Sequence, residues 1–164
     1  MGLSQDWNWE DFEVIGLVSY RITAIKSGIA ASGKRMTKAE AYDKAWRLGA
    51  RGDFSLVDQI YHPDYSSFDY RTGIEANIED DKMIVATLQE DLVQGPREAM
   101  YESDSFACIE GYARQNLGND VFEYFITLTA IHYKNQRIIK QKTAGNRVDY
   151  DPSEYFSWNW EDFE

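Results

Sequence analysis

The stretch Gly52–Gly73, GDFSLVDQIYHPDYSSFDYRTG, carries the pattern that decides the fold. Gly52-Asp53 ends one helical pattern, and the apolar side of a short second helix then follows, at Leu56, Val57 and Ile60. Pro63 is expected to end that second helix, because a residue before proline is pushed out of the α region. From Tyr65 to Asp69 the side chains alternate as they do in a strand. The stretch therefore predicts a short helix and then a strand that ends in Asp69.

Two longer helices are predicted on either side of this stretch. The first runs from Thr37 to Arg51 and begins with a capping box, in which Thr37 and Glu40 each accept the backbone N–H of the other. The second runs from Lys82 to Val93, and Gln94-Gly95-Pro96 ends it. The residues before it, Arg71–Asp80, are expected to form a polar connection.

From Arg97 onward the apolar period changes to two, which is typical of strands. Four strands are predicted, over Ala99–Glu102, Phe106–Arg114, Val121–Tyr133 and Arg137–Ala144. The third is apolar on both faces, as strands are in the middle of a sheet or at an interface. Helices first and strands afterwards predict an α+β domain.

The order helix, Gly52-Asp53, short helix, Tyr65 and strand ending in Asp69 resembles the opening of the nuclear transport factor 2-like superfamily. That group includes SnoaL-like polyketide cyclases and ketosteroid isomerases. The resemblance implies a cone-shaped α+β roll, with N-terminal helices packed in a curved, mostly antiparallel sheet around a hydrophobic pocket. It also implies a homodimer that pairs through the outer face of the sheet. On this basis residues 33–146 form the SnoaL-like domain, residues 1–32 an N-terminal arm and residues 147–164 a C-terminal tail.

Two residues are candidates for catalysis. Asp69 matches the place where ketosteroid isomerases carry the aspartate that moves a proton next to a carbonyl, and a partly desolvated carboxylate is a base of suitable strength. The alternative is that Asp69 begins a turn with Arg71 and Thr72, where aspartate bonds its own backbone. SnoaL-like cyclases use a base inside the cone, and the resemblance makes His132 a candidate for that role. Its alternative is a structural histidine near the end of a strand.

The wall of the pocket is expected to consist of Trp46, Tyr65, Tyr112, Glu123 and Thr129. Glu123 has an alternative, because a lysine or arginine across the sheet, Lys140 or Arg114, could neutralise it. Ketosteroid isomerases have an oxyanion hole made by a first-helix tyrosine and a late-strand acid, and those places fall here on Ala45 and on or next to Thr129. Losing both donors removes about 3 kcal/mol or more of transition-state stabilisation per donor. A steroid isomerase is therefore not expected.

The charge and the residue composition argue against several classes of partner and cofactor. The net charge of −11 disfavours nucleic-acid and anionic-membrane partners, which require clustered Lys and Arg. No run of about 18 apolar residues occurs, so a soluble, cytoplasmic protein is expected. The single cysteine, Cys108, excludes an intrachain disulfide. No His, Cys and carboxylate cluster has the spacing of metal ligands, so neither a metal nor a cofactor is expected.

Two functions stay open on these observations. One is a cofactor-independent isomerase, cyclase or hydratase that acts on a small apolar carbonyl compound. The other is a non-catalytic module that binds a small apolar ligand or dimerises through its sheet and tails. The missing oxyanion donors favour the second function, whereas Asp69 at the matching place favours the first.

The segment Trp7–Glu13, WNWEDFE, recurs unchanged as Trp158–Glu164. Either a duplication has left one copy idle, or both copies are docking peptides. In the second case the peptides are anchored by indoles, which combine a large apolar area with one N–H, at Trp7, Trp9, Trp158 and Trp160. The receiving groove should be apolar with a basic rim, because three carboxylates arrive with the indoles. Around the first copy, the pattern of residues 3–30 fits a helix and a strand equally.

Overall fold

The structure is a computed structural model that describes residues 36–88 and 91–163. The chain divides into two units, residues 1–34 and 35–164, and all described residues belong to the second. The expectations for residues 1–32, for the open pattern of residues 3–30 and for Trp7 and Trp9 lie outside the described residues. Within the described part, no helix has the length and apolar character needed to cross a membrane.

Three helices and six strands follow one another in the described chain. The helices are α1 (Lys38–Gly49), α2 (Ser55–Ile60) and α3 (Ile78–Leu88). The strands are β1 (Tyr61–Asp69), β2 (Ile74–Ala76), β3 (Leu92–Glu102), β4 (Phe106–Asn116), β5 (Phe122–Lys134) and β6 (Arg137–Val148). Two single turns of 3-10 helix, Pro152–Glu154 and Trp160–Asp162, come after β6.

The strands form one sheet in the order β2-β1-β6-β5-β4-β3. Neighbouring strands are antiparallel except β1 and β6, which run parallel. β5 lies between β4 and β6, in the middle of the sheet, as its two apolar faces predict. Helices that pack on a mostly antiparallel sheet confirm the predicted α+β class.

The start of α1 follows from its local sequence. The Thr37 hydroxyl accepts the N–H of Glu40 at 3.1 Å, and the Glu40 carboxylate accepts the N–H of Thr37 at 2.7 Å. This is the predicted capping box, in which two N–H groups that the helix leaves unpaired find acceptors. The helix then buries one stripe of side chains, which includes Ala39, Tyr42, Ala45 and Trp46.

The third helix begins earlier than predicted. The pattern placed it over Lys82–Val93, whereas α3 runs from Ile78 to Leu88. Its first turn is capped by Asn77, whose side-chain oxygen accepts the N–H of Glu79 at 2.9 Å. That cap lies inside Arg71–Asp80, the stretch that was expected to be a polar connection and that also holds β2.

Two prolines lie inside strands rather than before them. The pattern began two strands at Tyr65 and Ala99, but β1 already contains Pro63 and β3 already contains Pro96. Each proline falls where the register of the strand shifts against its neighbour. Since proline has no N–H to give to a sheet, such irregular positions and edge strands are where it is tolerated. Gln94-Gly95-Pro96 is therefore part of an edge strand and does not end a helix.

The helices pack on one face of the sheet, which we call the inner face. Its fully buried strand residues include Ala107, Ile109, Ile131 and Ile138. The helices add to the same core the side chains of Tyr42, Ala45, Trp46 and Val57. Because adjacent residues of a strand point to opposite faces, residues next to these in sequence, such as Cys108 and His132, belong to the opposite side. We call that side the outer face.

Candidate functional site

A carboxylate on α3 lies against two hydroxyl groups of β1. The Tyr65 phenol donates to Oδ2 of Asp81 at 2.8 Å, and the Ser67 hydroxyl donates to Oδ1 at 3.2 Å. Tyr65 and Ser67 are two residues apart in a strand, so both side chains point to the inner face. We call Asp81, Tyr65 and Ser67 the carboxylate site.

Burial controls the protonation of the carboxylate site. Desolvation raises the pKa of Asp81, because it disfavours the charged form more than the bonds from Tyr65 and Ser67 favour it. Desolvation also raises the pKa of Tyr65, and the nearby charge of Asp81 adds to this effect. The phenol therefore keeps its proton and remains a donor. The site holds a carboxylate that binds a proton more tightly than usual, next to a hydrogen-bond donor that does not ionise.

Aromatic rings form a wall beside the carboxylate site. The rings of Tyr61 and Tyr65 meet edge to face with their centroids 4.7 Å apart, and Tyr61 meets Trp46 in the same way at 5.7 Å. The Trp46 indole donates to the Tyr61 phenol oxygen at 2.8 Å, and that phenol donates to the Gln141 side chain at 3.4 Å. Desolvation raises the pKa of Tyr61 well above its usual value. These rings lie in the buried core, and their polar atoms are bonded to one another, to Gln141 and to Asp81.

A cation lies on the inner face close to this wall. The Arg97 guanidinium lies 5.4 Å from the centre of the Tyr42 ring and 3.3 Å from the Asp43 carboxylate. Burial raises the pKa of Tyr42, the charge of Arg97 opposes that rise and the charge of Asp81 adds to it. Charges of opposite sign therefore act on the same buried phenol.

Asp69 is the last residue of β1 and begins the turn that follows. Its Oδ1 accepts the N–H of Arg71 at 2.8 Å and the N–H of Thr72 at 3.0 Å. These are the backbone bonds of the turn that the alternative interpretation predicted. The same oxygen thus holds the chain reversal between β1 and β2 together.

His132 and Tyr112 lie on the outer face, which corrects the expectation that they line the interior. His132 is exposed and meets Phe106 at 5.1 Å between ring centroids, while its neighbour Ile131 occupies the core. Tyr112 follows Gly111, which lies against Arg97 on the inner face, so strand alternation turns the tyrosine outward. The structure therefore brings neither of them to the carboxylate site.

The other expected pocket residues have mixed positions. Trp46 and Tyr65 belong to the aromatic wall, and Thr129 is buried on the inner face with its hydroxyl 3.4 Å from that of Thr143. Glu123 is half-buried near the start of β5 and pairs with Arg147 at 2.6 Å. The partner of Glu123 is thus a cation across the sheet, as the alternative interpretation held, but at a different residue from those proposed.

Asp81 was missed by the sequence analysis. It immediately follows Arg71–Asp80, the stretch that was interpreted as a connection. The signal that would have found it is Asn77, a good capping residue three positions before Asp80, whose carboxylate accepts the Asn77 N–H at 3.3 Å. With the helix starting there, Asp81 falls in its first turn, although nothing local shows that β1 lies opposite.

The C-terminal copy of the repeated motif packs against the outer face. Trp160 is only 2% exposed, and its ring centre lies 6.0 Å from that of Tyr124. Trp158 packs on Tyr112 at 5.5 Å and meets Trp160 edge to face at 4.8 Å. The Trp160 indole donates to Oδ1 of Asp151 at 2.9 Å. The two indoles therefore cover aromatic residues that a bare sheet would expose to water.

Two arginines and a glycine complete this contact. Arg114 lies 5.2 Å from the Trp160 ring, and Arg47 lies 4.9 Å from the Phe163 ring. A Cβ added at Gly95 would lie 3.1 Å from the Trp160 ring, so the missing side chain makes room for the indole. We call the surface that receives the motif the tail groove, and its residues are Arg47, Gly95, Tyr112, Arg114 and Tyr124.

A cavity of about 490 Å³ adjoins the tail groove beside Phe163. Its lining includes apolar side chains and three arginines, namely Leu92, Val93, Phe122, Arg47, Arg51 and Arg114. Asp91 also lines the cavity, and Arg47 pairs with Asp43 at 2.7 Å, so the positive charge of the three arginines is partly neutralised. Among residues 36–88 and 91–163, no three His, Cys, Asp or Glu side chains are grouped so that they could hold a metal ion.

Comparison with known proteins gives the fold a name. No protein-family model matches the sequence, and no curated protein is found to match it. Among solved structures, a putative SnoaL-like polyketide cyclase from Jannaschia sp. is similar with a TM-score of 0.54 and 14% identity, covering 73% of this chain and 92% of that chain. A nuclear transport factor 2-like protein of unknown function from Cytophaga hutchinsonii is similar with a TM-score of 0.52 and 11% identity, covering 67% of this chain and 100% of that chain.

A third similar structure is a hypothetical protein with a ketosteroid isomerase-like fold from Catenulispora acidiphila, in complex with trimethylamine. Its TM-score is 0.51 at 15% identity, covering 65% of this chain and 85% of that chain. Sequence identities this low establish a shared fold only, and an activity has to be argued from the residues of the site. The chain has the nuclear transport factor 2-like fold, which confirms the resemblance inferred from the stretch that begins with Gly52-Asp53.

Proposed function

We propose that this nuclear transport factor 2-like domain binds a small apolar carbonyl compound at the carboxylate site and moves a proton on it without a cofactor, as isomerases, cyclases and hydratases do. In this proposal Asp81 is the base and Tyr65 donates to the carbonyl oxygen. The observation that carries it is the half-buried Asp81 carboxylate, with two hydroxyl donors from one strand bonded to its two oxygens.

The environment of Asp81 suits proton abstraction from carbon. Desolvation raises the pKa of this carboxyl group, which makes its ionised form a stronger base than a carboxylate in water. In the proposed step Asp81 takes the proton next to the carbonyl, and the electron pair of the broken C–H bond moves toward the carbonyl oxygen as an enolate forms. The proton then returns from Asp81 to carbon, so no oxidant or reductant is consumed.

Tyr65 supplies a hydrogen-bond donor in an interior where Ala45 and Thr129 stand at or next to the places of the two oxyanion donors of ketosteroid isomerases. Because burial keeps its phenol protonated, the O–H that bonds Asp81 in the free protein is available for a negatively charged oxygen. As Asp81 becomes neutral and the substrate oxygen becomes charged, the stronger acceptor is the substrate. A donor that meets a developing oxyanion contributes about 3 kcal/mol to transition-state stabilisation. The aromatic wall beside it favours an apolar substrate.

Exchange of carbonyl α-protons with D2O tests this proposal without a known substrate. Small apolar ketones and enones are incubated with the full chain, and loss of their α-proton signals is followed by NMR. We expect exchange above the buffer rate, a loss of at least about a hundredfold in Asp81→Asn, and a smaller loss in Tyr65→Phe.

The matched control is Asp69→Asn, which alters the competing candidate base and preserves an oxygen for the turn. Exchange that survives in Asp81→Asn and disappears in Asp69→Asn would assign the base to Asp69. Exchange at the buffer rate with every compound, in a chain that binds them by chemical-shift perturbation, would instead favour a non-catalytic binding domain.

A dimerisation module is the second candidate, and one exposed patch supports it. Leu128 is 43% exposed in the middle of the outer face and lines a cavity of about 330 Å³ with Ile126 and Ala144. The C-terminal motif covers Tyr112 and Tyr124 but leaves this patch open to a partner sheet. A homodimer through the patch predicts that Leu128→Lys halves the mass in light scattering. An unchanged mass would exclude this surface.

A further inference from the structure

The tail groove is occupied by a sequence that the chain carries twice. We propose that the groove is a binding site for the motif WNWEDFE in general, and that residues 7–13 of a second copy of the chain bind it when the C-terminal copy leaves. The proposal concerns assembly between chains and is independent of the carboxylate site.

The groove contacts the residues that characterise the motif. Trp158 lies on Tyr112, Trp160 lies on Tyr124 and under Arg114, and Phe163 lies beneath Arg47. These are the first, third and sixth positions of WNWEDFE, and the same residue types stand at those positions in residues 7–13. A second identical peptide would therefore find the same ring contacts and the same two guanidinium groups.

The groove also complements the charge of the motif. WNWEDFE carries three carboxylates, and the cavity beside Phe163 is lined by three arginines, Arg47, Arg51 and Arg114, and by one carboxylate, Asp91. A basic surface that receives an acidic aromatic peptide is selective in a chain with a net charge of −11, since most of its surface would repel such a peptide.

Tethering decides which copy occupies the groove. The C-terminal copy follows β6 directly and has a high effective concentration at the groove of its own chain. A copy from another chain competes at its bulk concentration, so exchange is weak while the tail contacts are intact. Weakening the tail should therefore convert a chain that occupies its own groove into one that associates with others.

Sizing of full-length variants tests this exchange. In Trp158→Ser/Trp160→Ser the groove is open and residues 7–13 are intact, so we expect the average mass in analytical ultracentrifugation to rise with concentration more steeply than in wild type. The control adds Trp7→Ser and Trp9→Ser to that variant. In this control the same groove is open but no intact motif is present to bind it. Its average mass should therefore rise with concentration less steeply than that of Trp158→Ser/Trp160→Ser. Equal masses for the two variants would overturn the proposal.

Binding of a labelled WNWEDFE peptide gives a second measurement. Anisotropy should show at least about tenfold tighter binding to Trp158→Ser/Trp160→Ser than to wild type, because the tethered competitor is weakened. Adding Arg114→Glu should remove that gain, as should a peptide with both tryptophans replaced by alanine. A photo-crosslinking form of the peptide should label α1, β3, β4 or β5, the elements that carry the groove residues. This measurement uses the wild-type chain, in which no substitution affects folding. Labelling elsewhere, or equal affinity for both chains, would overturn the proposal.

Discussion

The phenol of Tyr65 donates to the carboxylate of Asp81 at 2.8 Å, across sixteen residues of sequence. This bond joins the middle of β1 to the first turn of α3 and brings a carboxylate onto the inner face of the sheet. Desolvation there raises the pKa of Asp81, and Tyr65 and Ser67 limit that rise. The pair therefore links the packing of a helix on a sheet to the acid–base character of one side chain.

Asp81→Asn should change how stability depends on pH. Because folding raises the pKa of Asp81, the folded protein holds this proton more tightly than the unfolded chain, and wild-type stability falls as pH rises from the usual 3.8 through the raised value. Asparagine has no proton to lose in that window. The melting temperature of the variant relative to wild type should therefore increase with pH there and level off above it.

The matched control for this measurement is Asp64→Asn, since Asp64 is an exposed aspartate of β1. Its melting difference should vary less with pH than that of Asp81→Asn. A difference for Asp81→Asn that decreases with rising pH would mean that folding favours the charged carboxylate, contrary to the desolvation described here.

Trp160→Ala should destabilise the protein by about 3 kcal/mol or more, because it empties a buried site of ring size on the outer face. The control is Tyr155→Ala, in the same C-terminal segment, where the side chain is 69% exposed. That change should cost about 0.5 kcal/mol or less. Chemical denaturation of both variants makes the comparison, and equal losses would mean that the tail is not docked.

Asp69→Ala should cost about 1 kcal/mol, because two backbone N–H groups of the turn lose their acceptor. Asp69→Asn keeps a side-chain oxygen at the same place and should lose less. Urea unfolding of the two variants shows whether Asp69 stabilises the fold through its oxygen acceptor or through its negative charge. Equal losses in both variants would show that the negative charge, rather than the oxygen acceptor, is what the fold uses.

Tyr65→Phe should raise the pKa of Asp81 further. The phenol bond favours the ionised carboxylate, so removing it leaves desolvation less opposed. Ser67→Ala should move the pKa in the same direction by a smaller amount, since the Tyr65 bond is the larger of the two influences. A carboxyl NMR titration of the two variants measures both shifts, and a fall in the Tyr65→Phe variant would contradict the described geometry.

Local chemistry made part of the fold predictable from sequence. The capping box at Thr37 and Glu40 uses atoms three residues apart, and the apolar residues on both faces of β5 indicate its place in the middle of the sheet. Neither prediction depends on distant contacts. The starts of β1 and β3 were predicted too late, at Tyr65 and Ala99, because the tolerance of Pro63 and Pro96 in a strand depends on a shift in register against a neighbouring strand. That information lies in the partner strand and not in the local pattern.

The candidate site was harder to predict for the same reason. Asp69 was chosen by its spacing from Gly52, yet spacing does not show whether a carboxylate faces the interior or bonds its own turn. His132 and Tyr112 were placed inside although strand alternation turns them outward. Asp81 depends on the packing of α3 over β1, a contact that no short-range pattern contains. The composition of the duplicated motif predicted an apolar groove with a basic rim. In the structure two arginines, Arg47 and Arg114, lie against the rings of the C-terminal copy.

The most direct test of the central claim is a carbon-detected NMR titration of the Asp81 carboxyl group, assigned by comparison with Asp81→Asn. The claim is that this carboxylate is desolvated on the inner face and acts as a base there. The structure predicts an Asp81 pKa above the usual aspartate value of 3.8. A carboxyl that titrates at or below 3.8 would contradict it, since an ordinary solvated carboxylate could not be the base proposed here.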